Sequence, residues 1–181
     1  YAGTNVLSTE RMVYDITNRS YNLNVGKGLS STQARQKTLD YLRALESKVK
    51  ETPVSFEIAY IRASIMNAKR NIPTVYSRDG SSAIQLDPNL VGETKSASVE
   101  EIVNVYAKSA GFNKARVARA FSAIGNIHYE NEKYVEAAAY LGDAYKVIGS
   151  KMDNTTSFRA DTMYKLGMSY LKIGQYTQAQ T

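Results

Sequence analysis

Lys114-Ala-Arg-Val-Ala-Arg-Ala-Phe121-Ser-Ala-Ile124-Gly125-Asn-Ile-His128, followed by Tyr134-x-x-Ala137-x-x-x-Leu141-x-x-Ala144, decides how this chain is read. The pattern returns 42 residues later as Met163-x-x-Leu166-Gly167-x-x-Tyr170 and Tyr176-x-x-Ala179. In both copies the glycine precedes the alanine by twelve positions, and a tyrosine stands three before that alanine. Apolar residues three and four apart form a stripe along one helix, and a short polar turn, Glu130 to Lys133 or Lys172 to Gln175, lets a second helix fold back on it. A glycine inside a helix costs ~1 kcal/mol against alanine, so its return at Gly125 and Gly167 calls for a reason. Close approach of two helix backbones supplies one, with Ala137 and Ala179 expected as the small residues opposite.

The pattern resembles the tetratricopeptide repeat, a 34-residue helix-turn-helix unit with the skeleton W-x-x-L-G-x-x-Y…A-x-x-x-F…P. Phe121 and Met163 stand where tryptophan is commonest, His128 replaces a tyrosine, Gly149 falls at the proline, and the extra spacing is placed in Gly149 to Thr156. The resemblance covers about a third of the chain. It implies an all-α fold: a helix-turn-helix repeat solenoid coiled as a right-handed superhelix, with other helices preceding the repeats. It also implies a scaffold or adaptor that binds a protein or peptide and catalyses nothing. In that family the first helix of each pair lines a concave groove. The implied groove positions are Arg119, Ser122, Asn126 and Tyr129 in the first copy and Asp161, Tyr164, Met168 and Leu171 in the second. Members that clamp a carboxylate carry a lysine where this chain has Ser122, so a mixed polar and aromatic groove is expected. The second copy stops two residues after Ala179, and the natural protein is expected to continue with more helix pairs.

Upstream, the stripe Val13, Ile16, Ser20, Leu23 predicts a helix from about Ser8, with Gly26 and Gly28 as stops. Ser30 with Gln33 forms a capping box ahead of a helix marked by Leu39, Leu42, Leu45 and Val49. Thr52 and Pro53 open a third, with the stripe Ile58, Ile61, Ile65, Ala68 and Ile72, ending before Pro73. Residues 73–97 contain Pro73, Asp79-Gly80, Asp87-Pro88 and Gly92 and read as a functional loop, a linker or a small hairpin turning at Asp79-Gly80. Ser98 with Glu101 opens a short helix carrying Ile102, Val105 and Tyr106. The expected organisation is a helical region 1–72, an irregular segment 73–97 and repeats over 98–181.

The composition, 43% hydrophobic and 22% charged over 181 residues, is that of an ordinary globular protein. No apolar run reaches the ~18 residues a membrane span needs. The chain opens on Tyr1 instead of methionine, which suggests a processed product or a fragment. No cysteine is present, which removes thiolate chemistry and leans toward an extracytoplasmic, periplasmic home. The net charge of +6 is spread evenly, 13 basic and 10 acidic residues to Glu100 and 10 and 7 after it, so no basic stripe marks a nucleic-acid partner.

Candidate chemistry is sparse. Gly26-Lys27-Gly28 lacks the glycine five residues earlier and the following hydroxyl of a phosphate loop, and reads as a helix stop. His128 is the only histidine, and its place in the repeat is a packing position. Glu100, Glu101, Glu130, Glu132 and Glu136 fall at helix ends and turns, with no general-acid and general-base spacing. Lys114, Arg116 and Arg119 are the densest basic group. No cofactor motif emerges. Two other readings stay open: a structural subunit, or homo-oligomer, of a larger envelope or motility assembly; and an N-terminal helical domain with its own activity, docked through the repeats.

Overall fold

The computed structural model describes residues 2–67, 74–76, 83–91, 97–111, 113–148 and 156–174. The chain is all-α, with seven helices and one pair of three-residue strands among the described residues. It divides into two compact units, Tyr1–Ser109 and Ala110–Thr181.

In the first unit, α1 (Ala2–Gly26), α2 (Ser31–Lys48) and α3 (Pro53–Asn67) pack pairwise against one another, and α4 (Val99–Lys108) packs on α3. The local signals act as the sequence predicts. Gly28 takes φ +92° and its N–H donates to the Val25 carbonyl at 2.9 Å, ending α1. The Ser30 hydroxyl accepts from Gln33 N and the Gln33 carboxamide accepts from Ser30 N, which closes the capping box. Pro53 begins α3, where its missing N–H costs nothing. Ile58, Ile61 and Ile65 are fully buried, while Ala68, Ile72 and Pro73 lie outside the described residues.

The face of α1 differs from the expected stripe. Val13, Tyr14, Thr17 and Tyr21 are buried, while Ile16 is half-buried and Leu23 is 61% exposed. α1 packs on both α2 and α3, so a broader face than one stripe is covered. Thr17 tolerates burial because its hydroxyl donates to the Val13 carbonyl one turn back, at 2.6 Å.

Of the three readings of 73–97, the hairpin matches the strands. β1 (Thr74–Tyr76) and β2 (Ala83–Gln85) pair antiparallel with Val75 opposite Ile84, and the Asp79-Gly80 turn lies outside the described residues. After β2, Leu86 and Leu90 are fully buried. Two side chains bolt this segment to the helices. The Asn18 carboxamide donates to the Gln85 carbonyl and accepts from Asp87 N, both at 2.9 Å; Arg35 donates to the carbonyls of Leu90 at 2.9 Å and Asn89 at 3.0 Å. The Arg35 bond satisfies the Leu90 carbonyl, which burial would otherwise leave unpaired.

In the second unit, α5 (Lys114–Glu130) and α6 (Tyr134–Ile148) form a tight helix hairpin, and α7 (Thr156–Lys172) packs on α6 and also meets α5. α4, expected at the head of the repeats, belongs instead to the first unit. Its Tyr106 is buried, shares a hydrogen bond with Ser64 of α3 at 3.3 Å and stands edge-on to Tyr60, with ring centroids 5.5 Å apart.

Candidate partner-binding face

α5 starts where Asn113 caps it, its carboxamide oxygen accepting from Ala115 N at 2.8 Å. It ends where Glu132 and Lys133 donate back to the carbonyls of Tyr129 at 3.1 Å and His128 at 2.9 Å. Glu132 adopts φ +61°, a left-handed conformation that costs an L-residue about 1 kcal/mol and turns the chain back as α6. One side of α5 is thereby committed to α6. Ile124 is fully buried, His128 stacks on Tyr140 with centroids 5.6 Å apart, and Phe121 meets the same Tyr140 edge-on at 5.9 Å.

The glycine at the centre of this contact is required by space. A Cβ on Gly125 would sit 2.6 Å from Leu141 Cγ and 3.1 Å from the Leu141 backbone nitrogen. Leu141 supplies the three atoms nearest to the glycine, and Ala137, the small residue expected opposite, is fully buried one turn earlier on α6. A glycine on one helix accepts a large side chain from the other as readily as it accepts a small one, since only the sum of the two volumes is constrained.

The groove positions divide. Ser122 does not line an open surface: it is 2% exposed, and its hydroxyl shares a hydrogen bond with the fully buried Thr162 at 3.2 Å, which ties α5 to α7. Arg119, Asn126, Tyr129 and Met168 are half-buried, and Asp161, Tyr164 and Leu171 are exposed, with Tyr164 at 63%. Asn126 Oδ1 is buried and accepts no hydrogen bond among the described residues. Lys165 bridges Asp161 at 3.3 Å, one turn along α7.

Tyr134 belongs to this face, although the sequence marks it only as a turn-flanking residue of the repeat. Its ring meets that of Tyr129 edge to face, with centroids 5.7 Å apart. Burial pushes the Tyr129 hydroxyl above its ordinary pKa, and Tyr164, Tyr134 and Asp161 push it the same way. The five-residue spacing from Tyr129 to Tyr134 across a turn is the signal in the sequence that could have found it. Burial also lowers the pKa of His128 from its ordinary value; Glu136 opposes that shift and Lys133 adds to it.

Other candidates lose their footing. Arg116 is only 5% exposed, so Lys114, Arg116 and Arg119 do not form a surface patch for phosphates. Glu100, Glu101, Glu130, Glu132 and Glu136 are all exposed, and no group of three His, Asp or Glu residues could hold a metal among the described residues. The first unit carries an open cleft lined by Arg43, Arg62, Ser98, Glu101, Asn104 and Lys108. Arg62 is already engaged by Glu46 at 2.6 Å, and the lining mixes both signs of charge, so no single ligand charge is favoured there. No described helix is long and apolar enough to cross a membrane. No protein family, no curated protein and no solved structure matches the chain.

Proposed function

We propose that this protein is a non-catalytic scaffold or adaptor of the tetratricopeptide type, which holds a partner protein or peptide along the α5/α7 face. Further helix pairs stacked in the same sense would extend that face into the concave side of a right-handed superhelix. The observation that carries the reading is the division of labour on α5. Gly125 and His128 are spent on α6, while Asn126 and Tyr129 of α5 stay half-buried and Tyr164 and Leu171 of α7 remain exposed. An aromatic side chain left 63% exposed beside half-buried polar groups suits an anchor point for an extended chain.

The test is site-specific photo-cross-linking. A photoreactive residue at Met168 is expected to trap a partner, and Asn126→Ala with Tyr164→Ala is expected to abolish the adduct with helix content unchanged, since an aromatic anchor contributes ~2 kcal/mol or more, on the order of thirtyfold in affinity. The same group at Lys146, exposed on α6, is expected to trap nothing. Adducts from Lys146 alone would place the partner elsewhere and refute the proposal.

A further inference from the structure

The outward side of α1 carries a pattern that reads alike from both ends. Val13, Tyr14, Thr17 and Tyr21 are buried where α1 packs on α2 and α3, which leaves Met12 43% exposed, Leu23 61% exposed, Arg19 exposed and Ile16 half-buried on the other side. Met12, Ile16, Arg19 and Leu23 follow one another at intervals of four, three and four residues, the spacing of a seam along which two helices pack. Met12 lies as far before the midpoint between Thr17 and Asn18 as Leu23 lies after it, and Ile16 as far before it as Arg19 after it. Asp15 stands on the rim of this seam, bridged by Arg19 at 3.1 Å, with the two side chains 50% and 79% exposed.

We propose that this face pairs with the same face of a second copy of the chain, the two α1 helices running antiparallel about a twofold axis at that midpoint. The pairing concerns the first unit and is independent of the α5/α7 reading. A face that meets its own image must match itself end for end, a condition that an unrelated partner does not impose. This one does: in an antiparallel pair Met12 comes opposite the second copy's Leu23, and Ile16 opposite its Arg19, whose aliphatic stem can cover an apolar side chain while the guanidinium stays in water. At that register the second copy's Arg19 is offset from Asp15 by one residue, about 1.5 Å along the helix axis, so its guanidinium can reach the carboxylate across the seam. The pair within one helix is exposed and contributes little in water, so exchanging or sharing it costs little. A seam of about three turns buries less than a stable interface needs, which makes the pairing weak and reversible.

The absence of cysteine makes the register directly testable. Met12→Cys and Leu23→Cys variants of the 181-residue chain, mixed and oxidised in air, are expected to give a disulfide between the two variants. Either variant alone should give at least about tenfold less, because each position lies opposite the other and several turns from its own image, beyond the reach of a disulfide. Sedimentation equilibrium of the parent chain from about 10 μM to about 1 mM is expected to show monomer giving way to dimer. Leu23→Glu, at a side chain already 61% exposed, should weaken the dimer roughly tenfold or more with helix content unchanged, since it buries a charge in the seam. Val135→Glu, 66% exposed on α6, should leave the dimer as it was. Monomer at every concentration, a dimer indifferent to Leu23→Glu, or single variants that cross-link as well as the mixture would each overturn the proposal.

Discussion

α5 and α7 carry the same register and end in different surroundings. Ile124 of α5 is fully buried and Gly125 has Leu141 seated on it; Leu166 and Gly167 of α7 are only half-buried, and Met163, the counterpart of Phe121, is 45% exposed. The difference comes from the covering element. α6 returns over the Gly125 and His128 side of α5, whereas Leu166 of α7 only reaches α6 at van der Waals distance, its Cδ1 4.0 Å from where a Cβ on Gly142 would sit. The stripe that makes a helix amphipathic therefore specifies a face that can be buried, and the burial itself comes from a second element.

The largest effect should come from truncating the two stripes. Ile124→Ala removes a fully buried side chain and is expected to destabilise the second unit by about 2–5 kcal/mol, whereas Leu166→Ala should cost no more than about half as much. Denaturant unfolding read by amide exchange in α5 and α6 measures both. Equal losses would mean that α7 is as fully covered as α5 and would break the comparison.

The glycines sharpen it. Alanine favours a helix over glycine by ~1 kcal/mol, but at Gly125 the added methyl must displace the branch point of Leu141, and overpacking of this kind costs ~1–3 kcal/mol. Gly125→Ala is thus expected to lower the thermal midpoint of the second unit. Gly167→Ala, on the half-buried helix, should stay within about 1 kcal/mol of the parent, on either side. A matching loss at Gly167 would show that it too receives a large side chain.

The smallest effect is the pH dependence that His128 adds at the position matching Tyr170 of α7. Burial holds the folded pKa of His128 below its ordinary 6.5, so around that pH the unfolded chain binds more protons than the folded one. The stability His128 contributes is present above pH 6.5 and is lost as pH falls through the lowered folded value. His128→Tyr should flatten that part of the stability profile. A profile unchanged by the substitution would mean that Glu136, which favours the protonated ring, cancels the burial.

Local grammar was legible throughout. The Ser30/Gln33 capping box, Pro53 at the start of α3 and the Gly28 stop all form from groups within a few residues of one another, so their spacing in sequence sets their geometry. The isoleucine stripe of α3 and the helix hairpin of α5 and α6 arise from the same short-range periodicity. Helical spacing alone puts Asn126 with Tyr129 on one face of α5 and Tyr164 with Leu171 on one face of α7. Which of them stay open was not legible. Ser122 disappears into the α5/α7 contact because Thr162, forty residues away, supplies its hydrogen bond, and Tyr134 joins the face because the turn at Glu132 swings it beside Tyr129. Leu86 and Leu90 become core because Asn18 and Arg35 satisfy the backbone beside them across 54 to 69 positions of chain. Leu141 fills the space over Gly125 because the two helices settle where their summed side-chain volumes fit. Spacing along a chain determines which side of a helix is apolar; the partner on that side, and what it leaves exposed, depends on contacts between residues that only the folded chain brings together.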